Sequence, residues 1–158
     1  MEKSIRDAFN IKQRQLETYS PLTFAYIGDC FYELVLRTVL VTSAEGSAKS
    51  HTKQGTELAK AVTQAKMMDA LLGDGSPSEN EGNIEPETEK SSSSGFLTEE
   101  EIAMFKRGRN ANTTHGAKNA SAGEYRRATG FEALIGWLYL SGNEARAIEI
   151  IRYAWEKM

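Results

Sequence analysis

An all-α fold is what the sequence predicts for these 158 residues, on three observations. Apolar residues recur at three- and four-residue spacing along most of the chain, β-branched runs are short, and helix-start signals stand where the periodic stretches begin. No segment has the alternation of a strand. One domain spanning residues 1–158 is expected, long enough to close a core without disulfides or structural metal.

The elements follow in order. Ser20 before Pro21 is a capping hydroxyl next to a proline at the first helical position, which predicts a helix from there to about Leu40. It is apolar nearly all round. Asp29, Glu33 and Arg37 follow at intervals of four and form one stripe, while Gly28 lets another backbone or a ligand come close. Cys30 reads as a small core residue beside Asp29. A second helix is expected from Glu57 to Leu72, with Leu58, Val62, Ala65 and Met68 inward and Lys60 and Lys66 outward. Residues 73–95, GDGSPSENEGNIEPETEKSSSSG, hold one large apolar residue, Ile84, and cannot build a core; a disordered acidic surface insertion is expected there.

Thr98 and Glu101 form a capping box that starts a short helix through Ile102 and Phe105, ending at Gly108. The loop RNANTTHGAKNAS comes next. Ser121 and Glu124 make another capping box, opening a helix that ends at Ser141 and Gly142. Along it Tyr125, Thr129, Glu132 and Gly136 share one face as a narrow polar seam, and Phe131, Leu134, Ile135 and Leu138 form the packed side. A last helix from about Glu144 is expected to bury Ile148, Ile151 and Trp155.

Composition narrows the function. A single cysteine, no apolar run of membrane-span length and no basic-then-apolar leader predict a protein of a reducing compartment, the cytoplasm. The formal charge of −3 is uneven: residues 74–95 carry six acids against one base, so the remainder is net positive. From Ala103 to Gly123 there is no acid at all. Lys106, Arg107, Arg109, His115 and Lys118 stand there among Asn110, Asn112 and Asn119, and Arg126 and Arg127 extend the island. Such groups suit a phosphate backbone and ribose hydroxyls, although a solvated loop has the same composition.

Two carboxylates stand inside apolar helical runs, Asp29 in AYIGDCFYEL and Glu132 in ATGFEALIGWL. An ionised carboxylate buried there is strongly unfavourable unless a cation or a set of donors compensates it. A shared Mg²⁺ is the predicted answer, because it takes oxygen ligands and keeps several waters. Asp29 alone could equally pair with an arginine. Glu33 could support the ion from behind its direct ligands or form an i,i+4 pair with Arg37. Cys30, His51 and His115 lack zinc-site spacing. His51, between Lys49 and Lys53, suits either RNA contact or ordinary surface.

YIGDCFYEL resembles the signature helix of the ribonuclease III catalytic domain, and TGFEALIGWLYL resembles that family's second metal-binding helix. RGRNAN and KN continue the agreement. With no double-stranded-RNA-binding segment after Met158, the pattern is similar to the short Mini-ribonuclease III branch, over roughly residues 20–72 and 96–155. The resemblance implies a dimeric, all-helical endonuclease with one Mg²⁺-dependent site per subunit and a cleft for duplex RNA. For that branch it also implies maturation of the 23S ribosomal RNA precursor, with a large-subunit ribosomal protein as a further partner. Asp29 and Glu132 match the family's essential, metal-binding acids. Arg107, Arg109, Asn110, Lys118 and Asn119 match its RNA-side loop, which Arg126 adjoins. Ala25 and Thr129 stand where the general pattern has a glutamate and an aspartate, so waters or Thr129 would replace those ligands. The alternative is a domain that has lost catalysis and serves in RNA binding or ribosome assembly; a plain helical interaction module explains the core but not the acid-free loop.

Overall fold

The computed structural model describes residues 1–43, 47–73, 95–111 and 121–158. Among them the regular structure is helical throughout: α1 (Glu2–Ala8), a 3-10 turn (Leu16–Thr18), α2 (Pro21–Ser43), α3 (Ala48–Leu58), α4 (Ala61–Leu72), α5 (Glu99–Arg109), α6 (Ala122–Leu140) and α7 (Glu144–Lys157). The caps read from the sequence are present. Ser20 Oγ accepts from the Thr23 amide at 3.1 Å, and Thr98/Glu101 and Ser121/Glu124 both close reciprocal capping boxes. Gly142, at φ 80°, turns the chain after α6. No described helix is long and apolar enough to cross a membrane.

α6 is the centre of the fold, packed against α2, α4, α5 and α7. Phe131, Leu134, Ile135 and Leu138 are buried as expected, with Tyr32, Met67, Met68, Leu71, Phe105 and Ile151 around them. The expected polar seam is enclosed as well: Thr129 and Gly136 are buried, because that side of α6 meets neighbouring helices rather than solvent. The α2–α6 crossing is a backbone contact. A Cβ on Gly136 would lie 1.9 Å from the Phe24 carbonyl oxygen, and one on Gly28 would lie 1.9 Å from the carbonyl oxygen of Glu132. Gly108 and Gly130 bring α5 close to α6 as well, though less tightly.

Several expectations are corrected. The helix foreseen over Glu57–Leu72 is two, broken at Ala59–Lys60. Carbonyls at the end of α3 are taken by distant side chains: Tyr32 Oη donates to Leu58 O at 2.9 Å and Thr63 Oγ1 to Glu57 O at 2.9 Å. α2 runs three residues beyond Leu40 and α5 ends at Arg109 rather than Gly108. In α7 the inward residues are Ala147, Ile150, Ile151 and Ala154, while Ile148 is 45% exposed and Trp155 is only partly covered. The two alanines let α7 lie close, which rotates Ile148 outward. Cys30 is exposed, not core. The expected insertion lies, except for its end residues, outside the described residues.

Where the chain resumes at Gly95 it is firmly anchored. Phe96 stacks on Tyr153 with ring centroids 3.8 Å apart, and the Arg146 guanidinium lies over the Phe96 ring and donates to the Phe96 carbonyl. The same guanidinium grips buried Glu101 through both carboxylate oxygens, at 2.8 and 3.0 Å. That fork holds Glu101 below the ordinary carboxylate range, although burial opposes it.

Candidate active site

Asp29 follows Gly28 on α2, and Glu132 supplies the carbonyl against which Gly28 packs, so the helix crossing itself brings the two acids together. Gln64, on the buried face of α4, joins them. Its Nε2 donates to Asp29 Oδ1 at 3.4 Å, and the same carboxamide favours the charged form of Glu132. Tyr32, one turn beyond Asp29, lies under the pair with its hydroxyl on Leu58 O and on Met67 Sδ.

The electrostatics of this locus are unfavourable to negative charge. Burial raises Asp29 above its usual value, the Glu33 charge raises it further, and the Gln64 hydrogen bond opposes both. Burial pushes Glu132 up to about 8, with Asp29 adding repulsion and Gln64 again opposing. Tyr32 is raised by burial and then by the two acids. Among the described residues neither Asp29 nor Glu132 has an arginine or lysine partner, whereas Glu33 is paired with Arg37. Two adjoining half-buried carboxylates without a cationic side chain can hold either a shared proton or a cation. The oxygens that Asp29 and Glu132 offer are hard donors, which suit Mg²⁺ better than zinc. Among the described residues no group of three or more His, Cys, Asp or Glu gathers as a metal cage, so an ion here would keep much of its water.

Of the supporting residues, Glu33 acts on Asp29 through its charge while bonding Arg37. Thr129 is buried and its hydroxyl donates to Tyr125 O at 3.0 Å. Ala25 packs with Phe24, Met104 and Ala133, an apolar use of the position.

A basic surface lies where α5 ends and α6 begins. Arg109, at the end of α5, lies over Phe105 and donates to Asn110 Oδ1 at 3.3 Å. Burial lowers its pKa, and the charges of Arg126 and Arg127 lower it further, so three guanidiniums converge where α5 ends and α6 begins. Arg126 precedes Glu132 by six residues on α6, about 9 Å of helix axis. Arg107, Asn110 and Arg126 are exposed on this side of the sequence, Arg127 pairs with Asp69 at 3.3 Å, and Lys118 and Asn119 lie outside the described residues. His51 is half-buried on α3 with no hydrogen-bond partner for its Nε2. Sequence reasoning missed Gln64 and Tyr32. A polar residue on the otherwise apolar face of Ala65, Met68 and Leu71 was the one available signal for Gln64.

Comparison with known proteins gives the family. Residues 22–143 match the model of the ribonuclease III domain. The Mini-ribonuclease 3 of Enterococcus faecalis is 34% identical over 92% of this chain and 95% of its own length, and that of Clostridium tetani is 36% identical over 89% and 79%. The Mini-ribonuclease 3 of Brevibacillus brevis is 35% identical over 85% and 84%. A crystal structure of a Fusobacterium nucleatum protein superposes with a TM-score of 0.65 at 24% identity, covering 88% of this chain and 93% of that one, and so shares its fold. The chain therefore belongs to the ribonuclease III family, in its Mini-ribonuclease branch, and is an endoribonuclease.

Proposed function

We propose that this endoribonuclease is Mg²⁺-dependent, that it cuts double-stranded regions of precursor 23S ribosomal RNA in the cytoplasm, and that Asp29 and Glu132 hold the ion. The observation that carries the reading is the pair of acids that meet at Gln64 with no arginine or lysine partner among the described residues. The ion, when bound, supplies an acidified water and neutralises charge growing on the phosphate. The chain's own residues do the rest. Asp29 and Glu132 hold the cation at the α2–α6 crossing, and Arg109 with Arg126 attracts the phosphate backbone to the neighbouring surface. Lys118, Asn119, Arg107 and Asn110 extend that contact, Glu33 and Thr129 support the acids from behind, and a large-subunit ribosomal protein presents the RNA. Catalysis is carried by a single domain.

A paired RNA incubated with the protein in Mg²⁺ is expected to yield discrete cut ends, and in EDTA none. Asp29→Asn should bind the same duplex within about threefold and leave it intact; turnover retained in this variant disposes of the assignment.

The protein also acts as a homodimer in this proposal. Leu22, Tyr26, Cys30, Leu34 and Val41 lie within one band of α2 and are all exposed, an apolar face on the helix that carries Asp29. Light scattering should return twice the chain mass, and Tyr26→Glu the single mass; a monomer for the unaltered protein rejects the dimer.

A further inference from the structure

We propose that Gln64 is the positioning residue of this active site: its buried carboxamide bridges Asp29 and Glu132 and keeps both carboxylates turned to a common point, ready for a cation. The inference rests on the metal reading above and adds a residue to it. Gln64 is 1% exposed and shares its helix face with Ala65, Met67, Met68 and Leu71. A side chain of apolar type would fill that place without an amide to satisfy, and an unsatisfied buried amide costs about 1–3 kcal/mol. Gln64 avoids much of that cost through Asp29, whose Oδ1 accepts from Nε2 at 3.4 Å, and its carboxamide also favours the charged form of Glu132. An ionised Asp29 only accepts, so the NH₂ end of the amide is the one turned to it.

Only a neutral donor meets all the demands of this position. A lysine or arginine on α4 would neutralise the acids and stand where the external cation is to bind. A leucine or methionine would leave them repelling each other with no donor to hold either one. Glutamine gives Asp29 a hydrogen bond, favours the charged form of Glu132 and adds no charge, so the attraction for a cation is retained. It also ties α4 to the two helices whose crossing sets the site. Groups of this kind, which orient metal ligands without being ligands themselves, typically account for 10–100-fold in affinity or rate.

The test compares Gln64→Met, matched in length but without donors, with the unaltered protein and with Asp29→Asn. Calorimetry with Mn²⁺ on RNA-free protein should give at least tenfold weaker binding for Gln64→Met, and the Mg²⁺ needed for half-maximal cleavage should rise in step. At saturating Mg²⁺, kcat should fall 10–100-fold with KM for duplex RNA unchanged. Melting temperature in EDTA should stay the same or rise, which separates positioning from packing. Gln64→Met binding Mn²⁺ and cutting like the unaltered protein overturns the proposal, and so does a joint collapse of melting temperature and RNA affinity with Mn²⁺ affinity per folded molecule unchanged. Should Gln64→Met fail to fold, Gln64→Asn carries the same comparison, with an intermediate loss expected and none overturning it. An unaltered protein that binds no Mn²⁺ and cuts nothing rejects the metal reading itself; one that does both beside an indifferent Gln64→Met rejects the Gln64 role alone.

Discussion

Glu132→Gln is expected to abolish cleavage and, in the absence of metal, to make the protein more stable at pH 8. Both effects come from the same side chain. The acid that attracts the cation is held where its charge is unwelcome, and burial followed by Asp29 pushes it up to about 8 from an ordinary 4.5. Losing a ligand that anchors the ion removes a few kcal/mol of charge stabilisation, which is a rate loss of about 10³-fold or more. Between pH 4.5 and 8 the folded protein retains a proton that the unfolded chain has released. Stability therefore falls as pH rises through that window, by on the order of 4–5 kcal/mol for this group. Glutamine has no proton to lose, so the variant should lack the slope, and Mg²⁺ should flatten it in the unaltered protein. Glu101, drawn below its usual value by Arg146, works in the opposite sense and stabilises only above its depressed pKa. Metal-free protein should thus be most stable in mild acid. Thermal unfolding in EDTA from pH 5 to 9 measures this, and equal slopes for the two proteins would refute it.

Gly136→Ala is expected to destabilise the fold and to cripple the site together. The added methyl would lie 1.9 Å from the Phe24 carbonyl oxygen, 2.8 Å from the Phe24 carbonyl carbon and 2.9 Å from the Gly28 nitrogen. All three are backbone atoms, so no rotamer change relieves the clash, and α2 must move away from α6. Overpacking commonly costs about 1–3 kcal/mol, a figure that backbone contact should exceed. Alanine's better helix propensity returns about 1 kcal/mol. A net loss of at least ~2 kcal/mol is expected, a large share of a typical domain's stability. Asp29 rides on one of these helices and Glu132 on the other, and a displacement near 1 Å is enough to cost about 10²-fold in rate. Gly28→Ala should behave alike, and the double variant should lose less than the two single losses added, because one contact is removed in each case. Melting curves and single-turnover cleavage at saturating RNA give the readouts; a Gly136→Ala protein with unaltered melting and rate would show that the crossing does not set the geometry.

What the sequence disclosed follows the range of the forces involved. The starts of α2, α5 and α6 were legible because each is fixed by hydrogen bonds inside four residues: Ser20 to Thr23, Thr98 with Glu101, and Ser121 with Glu124. Asp29 and Glu132 were legible because a charge inside an apolar run is anomalous wherever the chain folds. The break between α3 and α4 was not, since it depends on Tyr32 reaching Leu58 from another helix, with no glycine or proline to mark it. Ile148 and Ile150 fit the same period, and only the closeness allowed by Ala147 and Ala154 decides between them. Cys30 followed its apolar neighbours in composition but not in direction. Gln64 stayed hidden because an uncharged amide is ordinary on any helix, and its meaning arises only when α2 and α6 bring their acids to it.

Arg146 and Tyr153 moor the chain at Phe96, directly before α5, so whatever precedes Gly95 meets the core at a fixed post. Strain entering the chain at Gly95 is therefore taken up by Arg146 and Tyr153 before it reaches α5.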